Sequence, residues 1–90
     1  MKLTAFHEAE KEWQTSNPLR KFRAKNSLMQ RNIAAAMEVS YHTVYRWEVG
    51  MTFPTQEQLE HLGRLMEDAY VPEKWATWLQ ARPHYRTEDK

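Results

Sequence analysis

Between Gln30 and Gly50 the chain switches twice from helix-forming to helix-stopping residues, and this segment leaves few folds open. Ile33, Ala34 and Met37 fall at i, i+1 and i+4, which is one face of a helix. The run Ala34-Ala35-Ala36 favours helix strongly. Ala34 adds only a methyl, so a neighbouring helix can approach closely there. Ser40 is a good helix N-cap. Gly50 stands where a helix ends on a left-handed residue. The spacing predicts a helix over about 30–37, a three-residue turn and a second helix over about 41–49. Val44 and Trp47 of the second helix point inward, whereas Tyr41, His42, Tyr45, Arg46 and Val49 form one outer stripe.

The rest of the chain reads as further helices. Leu3, Phe6, Ala9 or Glu10, and Trp13 recur every three to four residues, which predicts a short N-terminal helix. Asn17 before Pro18 is a strong helix start, since Asn caps free N–H groups and proline loses no needed donor there. That helix runs to about Lys25 and buries Leu19 and Phe22. Thr55 and Gln58 make a capping box for a helix with Leu59, Leu62, Leu65 and Met66. Pro72 opens a last helix with Trp75, Trp78 and Leu79 on one face, ending before Pro83. The fold expected is all-α, a small bundle of five to six helices. Residues 1–15 read as an N-terminal extension, 16–82 as the main domain and 83–90 as a loose tail.

Ninety residues make one modest core. No apolar run reaches membrane-spanning length, the first residues lack the apolar block of a signal peptide, and there are no cysteines. These features point to a soluble, cytoplasmic protein. Only two glycines, Gly50 and Gly63, are present, so a glycine-rich phosphate cradle is excluded. His7, Glu8 and Glu10 lack a second ligand pair at metal spacing. No nucleophile–base set or paired carboxylates appear. No cofactor, metal or enzymatic activity is expected.

Net charge is only +1, but it is unevenly placed. Residues 16–50 hold Arg20, Lys21, Arg23, Lys25, Arg31 and Arg46 against Glu38 and Glu48, a surplus of four positive charges. The segments on either side are mildly acidic. Positive charge thus sits with the helix whose outer stripe carries Tyr41, His42, Tyr45 and Arg46, side chains suited to nucleic acid. Arg46 can bond both acceptors of a guanine, or a phosphate, or a surface carboxylate. His42 can donate to a base or phosphate, and because imidazole titrates near neutrality, binding is expected to tighten as pH falls towards about 6. Tyr41 and Tyr45 can touch thymine methyls or phosphates.

The pattern Gln30-x-x-Ile33-Ala34-x-x-Met37-x-Val39-Ser40-x-x-Thr43-Val44-x-x-Trp47-Glu48-x-Gly50-x-x-x-Pro54 resembles the helix-turn-helix of the Cro and lambda-repressor type. The resemblance covers about residues 18–66. It implies a lambda-repressor-like bundle of about five helices that binds operator DNA, usually as a dimeric transcriptional regulator. It implies that Gln30 holds a phosphate, that Ser40, Tyr41, His42, Tyr45 and Arg46 face DNA, with Thr43 counted beside them, and that Ile33, Val39, Val44 and Trp47 are core. Glu48 matches an acidic position that supports the fold through polar contacts. Arg23 and Arg31 are the preferred phosphate pair among the remaining bases.

Two departures stand out. Glu38 occupies the turn position that is usually glycine, and a left-handed backbone there would cost about 1–2 kcal/mol. Met29 replaces the usual Ser or Thr cap, leaving Asn26 or Ser27 as candidates. Trp75, Trp78 and Leu79 read either as core, against Trp13 or Phe6, or as a dimer interface. The expectation is a sequence-specific DNA-binding regulator, a repressor of phage or plasmid type, acting as a homodimer on a palindromic operator. Its rivals are a DNA-binding subunit of a larger assembly, such as an antitoxin or a genome-packaging recognition protein, whose C-terminal helix engages a protein partner, and a protein-interaction module.

Overall fold

The computed structural model describes residues 3–84, and among these there are six helices and no strand. The helices are α1 (Leu3–Thr15), α2 (Pro18–Lys25), α3 (Gln30–Met37), α4 (Tyr41–Val49), α5 (Gln56–Met66) and α6 (Val71–Gln80). None is long and apolar enough to cross a membrane. The tail expected over 83–90 lies largely outside the described residues; Pro83 and His84 are not helical.

The helix starts follow local chemistry. Asn17 Oδ1 accepts from the N–H groups of Leu19 and Arg20, Ser40 Oγ from Thr43, and Thr55 Oγ1 from Gln58, whose own Oε1 accepts from Thr55 N–H. Neither Asn26 nor Ser27 caps α3. Asn26 ends α2 and donates its Nδ2 to the Phe22 carbonyl, while Met29 precedes α3 with its N–H bonded to Asn32 Oδ1 at 2.7 Å.

The helix ends share one device. At α2, α3, α4 and α5 the residues Ser27, Glu38, Gly50 and Glu67 take positive φ, and the next residue donates its N–H back across five positions. Those bonds run from Leu28 to Arg23, Val39 to Ala34, Met51 to Arg46 and Asp68 to Gly63. Only Gly50 is glycine. A left-handed backbone was anticipated only at Gly50 and, conditionally, at Glu38; Ser27 and Glu67 add two more.

The core joins Trp13, Leu19, Ile33, Ala34, Met37, Val44, Trp47, Leu62, Val71, Trp75 and Trp78. Fully burying one leucine of this set, such as Leu19 or Leu62, contributes about 1.5–3 kcal/mol. Val39 is half-buried and packs against this cluster. Leu3, by contrast, is exposed, so the apolar stripe of α1 reaches the core only at its C-terminal end.

That end is fixed firmly. Trp13 and Trp78 stack at 4.0 Å with planes 3° apart. Each indole N–H donates to the other residue's carbonyl, at 2.6 and 2.7 Å. The border expected at residue 15 is therefore crossed by the core itself. Of the two readings of Trp75, Trp78 and Leu79, the structure shows the core placement. Trp75 and Trp78 are buried within this one chain, and Leu79 is half-buried against the same cluster.

Candidate nucleic-acid interface

Helices α3 and α4 are joined by Glu38, Val39 and Ser40. On α4, Val44, Trp47 and Glu48 are buried. Tyr41, His42 and Tyr45 are exposed, and Arg46 is half-buried beside them. The stripe read from the sequence thus faces outward at Tyr41, His42 and Tyr45, whereas Arg46 and Val49 are half-buried. The Tyr41 and His42 rings stack at 4.3 Å with planes 29° apart. Together they present a flat aromatic pair with a hydroxyl and two ring nitrogens, next to the Arg46 fork one turn along.

Ser40 and Thr43 occupy the helix start, and their hydroxyls lie 3.1 Å apart while Ser40 Oγ also accepts from Thr43 N–H. Their first role is capping. A hydroxyl so placed still has a free lone pair or proton for an outside group.

Glu48 is the buried counterweight of this face. Arg23 Nε donates to its Oε2 and Arg23 Nη2 to its Oε1, both at 2.7 Å, and Gln30 Nε2 donates to Oε1 at 3.0 Å. Arg23 Nη1 also reaches the Leu28 carbonyl at 3.1 Å. The bidentate fork matches the carboxylate geometry and offsets the desolvation of Glu48.

This arrangement bears on two expectations. Arg23 does not offer its guanidinium to phosphate, because the fork closes on Glu48. The side-chain amide of Gln30 gives one Nε2 proton to Glu48. What α3 leaves open at its start is backbone N–H and the exposed Arg31, whose Nη2 rests 3.4 Å from Met29 Sδ. A thioether is a weak acceptor, so Arg31 remains the readily available cation of that turn.

The far end of α4 is held by residues that the sequence reading did not connect to it. Arg82 Nη1 donates to the Gly50 carbonyl at 3.0 Å and Nη2 to Glu10 Oε2 at 2.8 Å. Its guanidinium carbon lies 4.7 Å from the Trp13 ring centre. Sequence separations of 32 and 72 residues carry no local signal. Just beyond Gly50, Met51 and Phe53 are exposed in the loop to α5.

Among the described residues no group of three or more His, Asp or Glu side chains is placed to hold a metal ion. Compared with models of known families, with curated proteins and with solved structures, the chain shows no match.

Proposed function

We propose that this chain is a sequence-specific DNA-binding regulator, a repressor, that lays α4 in the major groove as the second helix of a helix-turn-helix. The observation that supports this most is the division of α4. Val44, Trp47 and Glu48 are buried, while Tyr41, His42, Tyr45 and Arg46 lie together on the outside. A short helix with such a face fits the width of the major groove. The turn from α3 and the exposed cation Arg31 supply the backbone contact that fixes the helix in place.

In this reading Arg46 takes both acceptors of a guanine, a contact that contributes about 1–3 kcal/mol of discrimination. The stacked Tyr41 and His42 meet the phosphate and base edge at the helix start. Two copies related by a two-fold axis read an inverted repeat, with half-sites about one helical turn apart or a multiple of it. Such a regulator works in the cytoplasm.

The test is selection of bound duplexes from random DNA, using the full chain. A palindromic consensus is the expected result, with affinity falling as salt rises by a log–log slope of about −0.9 per phosphate neutralised. Arg46→Lys should relax the preference at one base pair of each half-site. No enrichment at moderate salt overturns the reading.

A further inference from the structure

Helix α2 carries basic residues on two opposite sides. Arg23 faces α4 through Glu48. At about 100° per residue, Lys21 and Lys25 share a side and point roughly opposite to Arg23. They line a groove of about 1060 Å³ between α2, the end of α5 and α6. Its floor is apolar and includes Phe22, Met66 and the rim of Trp78. Phe22 and Met66 are half-buried, packed on the core from one side only.

The charge around the groove is asymmetric. On the α6 side Lys74 pairs with Asp68 and Glu67 stands beside them, so that wall is mildly acidic. On the α2 side Lys21 and Lys25 are exposed and, among the described residues, take part in no ion pair. They stand one turn apart, about 6 Å along the axis. The α2 wall is therefore basic over an apolar floor. A phosphate backbone has no use for that floor, and the two lysines point away from the face that carries α4.

We propose that this groove docks an acidic amphipathic helix of a partner protein. The partner would set apolar residues at i, i+3 or i+4 and i+7 against Phe22 and Met66, the helix-in-groove mode. Two carboxylates one turn apart would pair with Lys21 and Lys25. Charge complementarity of this kind sets orientation and partner choice. The site stands on the opposite side of α2 from the proposed DNA-reading face, so both can be occupied together.

The experiment is selection from a displayed library of helical peptides with the full chain as bait, followed by titration of the isotope-labelled chain with the winning peptide. Enriched peptides should carry two acidic residues one turn apart beside an apolar stripe. Resonance shifts should centre on Lys21, Phe22, Lys25, Met66 and Thr77. Lys21→Gln with Lys25→Gln should keep the melting temperature, since both side chains are exposed, and should weaken the peptide by on the order of tenfold. Enrichment without acidic preference, or shifts centred on α4, would overturn the proposal. So would a parallel loss of DNA affinity in the double variant, which would make the lysines phosphate contacts. Self-association of the chain that the double variant abolishes would make a second copy the occupant and would also refute it. Failure to bind any DNA, with peptide binding intact, would remove the regulator reading and leave the groove assignment standing.

Discussion

Replacing Glu38 by glycine should make the protein more stable, and the structure supplies the magnitude. Glu38 sits at φ 59° and ψ 44°, the centre of the left-handed region. An L-residue pays about 1–2 kcal/mol to stand there and glycine pays almost nothing. Glycine also loosens the unfolded chain, which takes back about 0.4–1 kcal/mol. The carboxylate lies at the C-terminus of α3, the negative end of the helix dipole, so its removal adds a few tenths of a kcal/mol. Glu38 is exposed, and its N–H bonds to Ala35 and Ala34 involve only backbone, so the closing geometry is kept. The net gain is about 1 kcal/mol, and in a domain of this size that raises the melting temperature by about 5 °C. Calorimetry on the wild type, Glu38→Gly and Glu38→Ala separates backbone from charge. Alanine removes the carboxylate but keeps the left-handed cost, so it should gain no more than about 1–2 °C. A melting temperature for Glu38→Gly that is unchanged, lower, or matched by Glu38→Ala would refute the strain argument.

Three further outcomes are expected. Glu48→Gln should lower stability by about 3 kcal/mol in urea titration, because it leaves the largely buried Arg23 guanidinium without its counter-charge; a loss below about 1 kcal/mol would mean the pair is effectively solvated. Gly50→Ala should cost about 3 kcal/mol, combining the left-handed φ of 81° with a Cβ that would lie 2.6 Å from Trp13 Cη2; a smaller additional loss in a Trp13→Leu background would confirm the contact. Asp68 should titrate below the ordinary carboxylate range, because Lys74 Nζ and the Tyr70 N–H both donate to it. Its folded-state pKa is lowered, so its contribution to stability is present above the unfolded pKa and is lost as pH falls through the folded one. Carbon-detected NMR on Lys74→Gln should show the Asp68 titration moving back up; no movement would refute the assignment.

The helices were legible because their signals are local. Pro18 after Asn17, Ser40 before Tyr41, and Thr55 with Gln58 each announce a start, and the period of Val44 and Trp47 gives the buried side of α4. The same period gave the outer side, where Tyr41, His42 and Tyr45 are exposed and Arg46 is half-buried beside them. Ser27 and Glu67 were not found as left-handed residues, because neither residue type favours that backbone and the five-residue closing bond leaves no pattern in the side chains. The role of Arg23 was misread for a different reason. Its charge is visible in the sequence, but its partner Glu48 is 25 residues away and buried, and a basic residue in a basic segment looks like a surface contact until the fork is seen closing on a carboxylate.

The four left-handed positions also show why one of them alone is glycine. The conformational demand is similar at Ser27, Glu38, Gly50 and Glu67, and three of them meet it with ordinary side chains. Gly50 differs in its surroundings, since the Trp13 ring and the Arg82 guanidinium occupy the space that a Cβ would take. Packing decides that residue, and backbone preference follows. Helix α4 is consequently held at its C-terminal end by residues outside its own turn: Arg23 and Gln30 through Glu48, Trp13 and Arg82 at Gly50. Those four side chains brace the helix that carries the outer stripe, and none of them lies on it. If the stripe reads DNA, Arg82→Gln should weaken operator binding while leaving the base preference of Arg46 intact, because it loosens the helix end without changing the reading group. A changed preference would instead place Arg82 at the DNA.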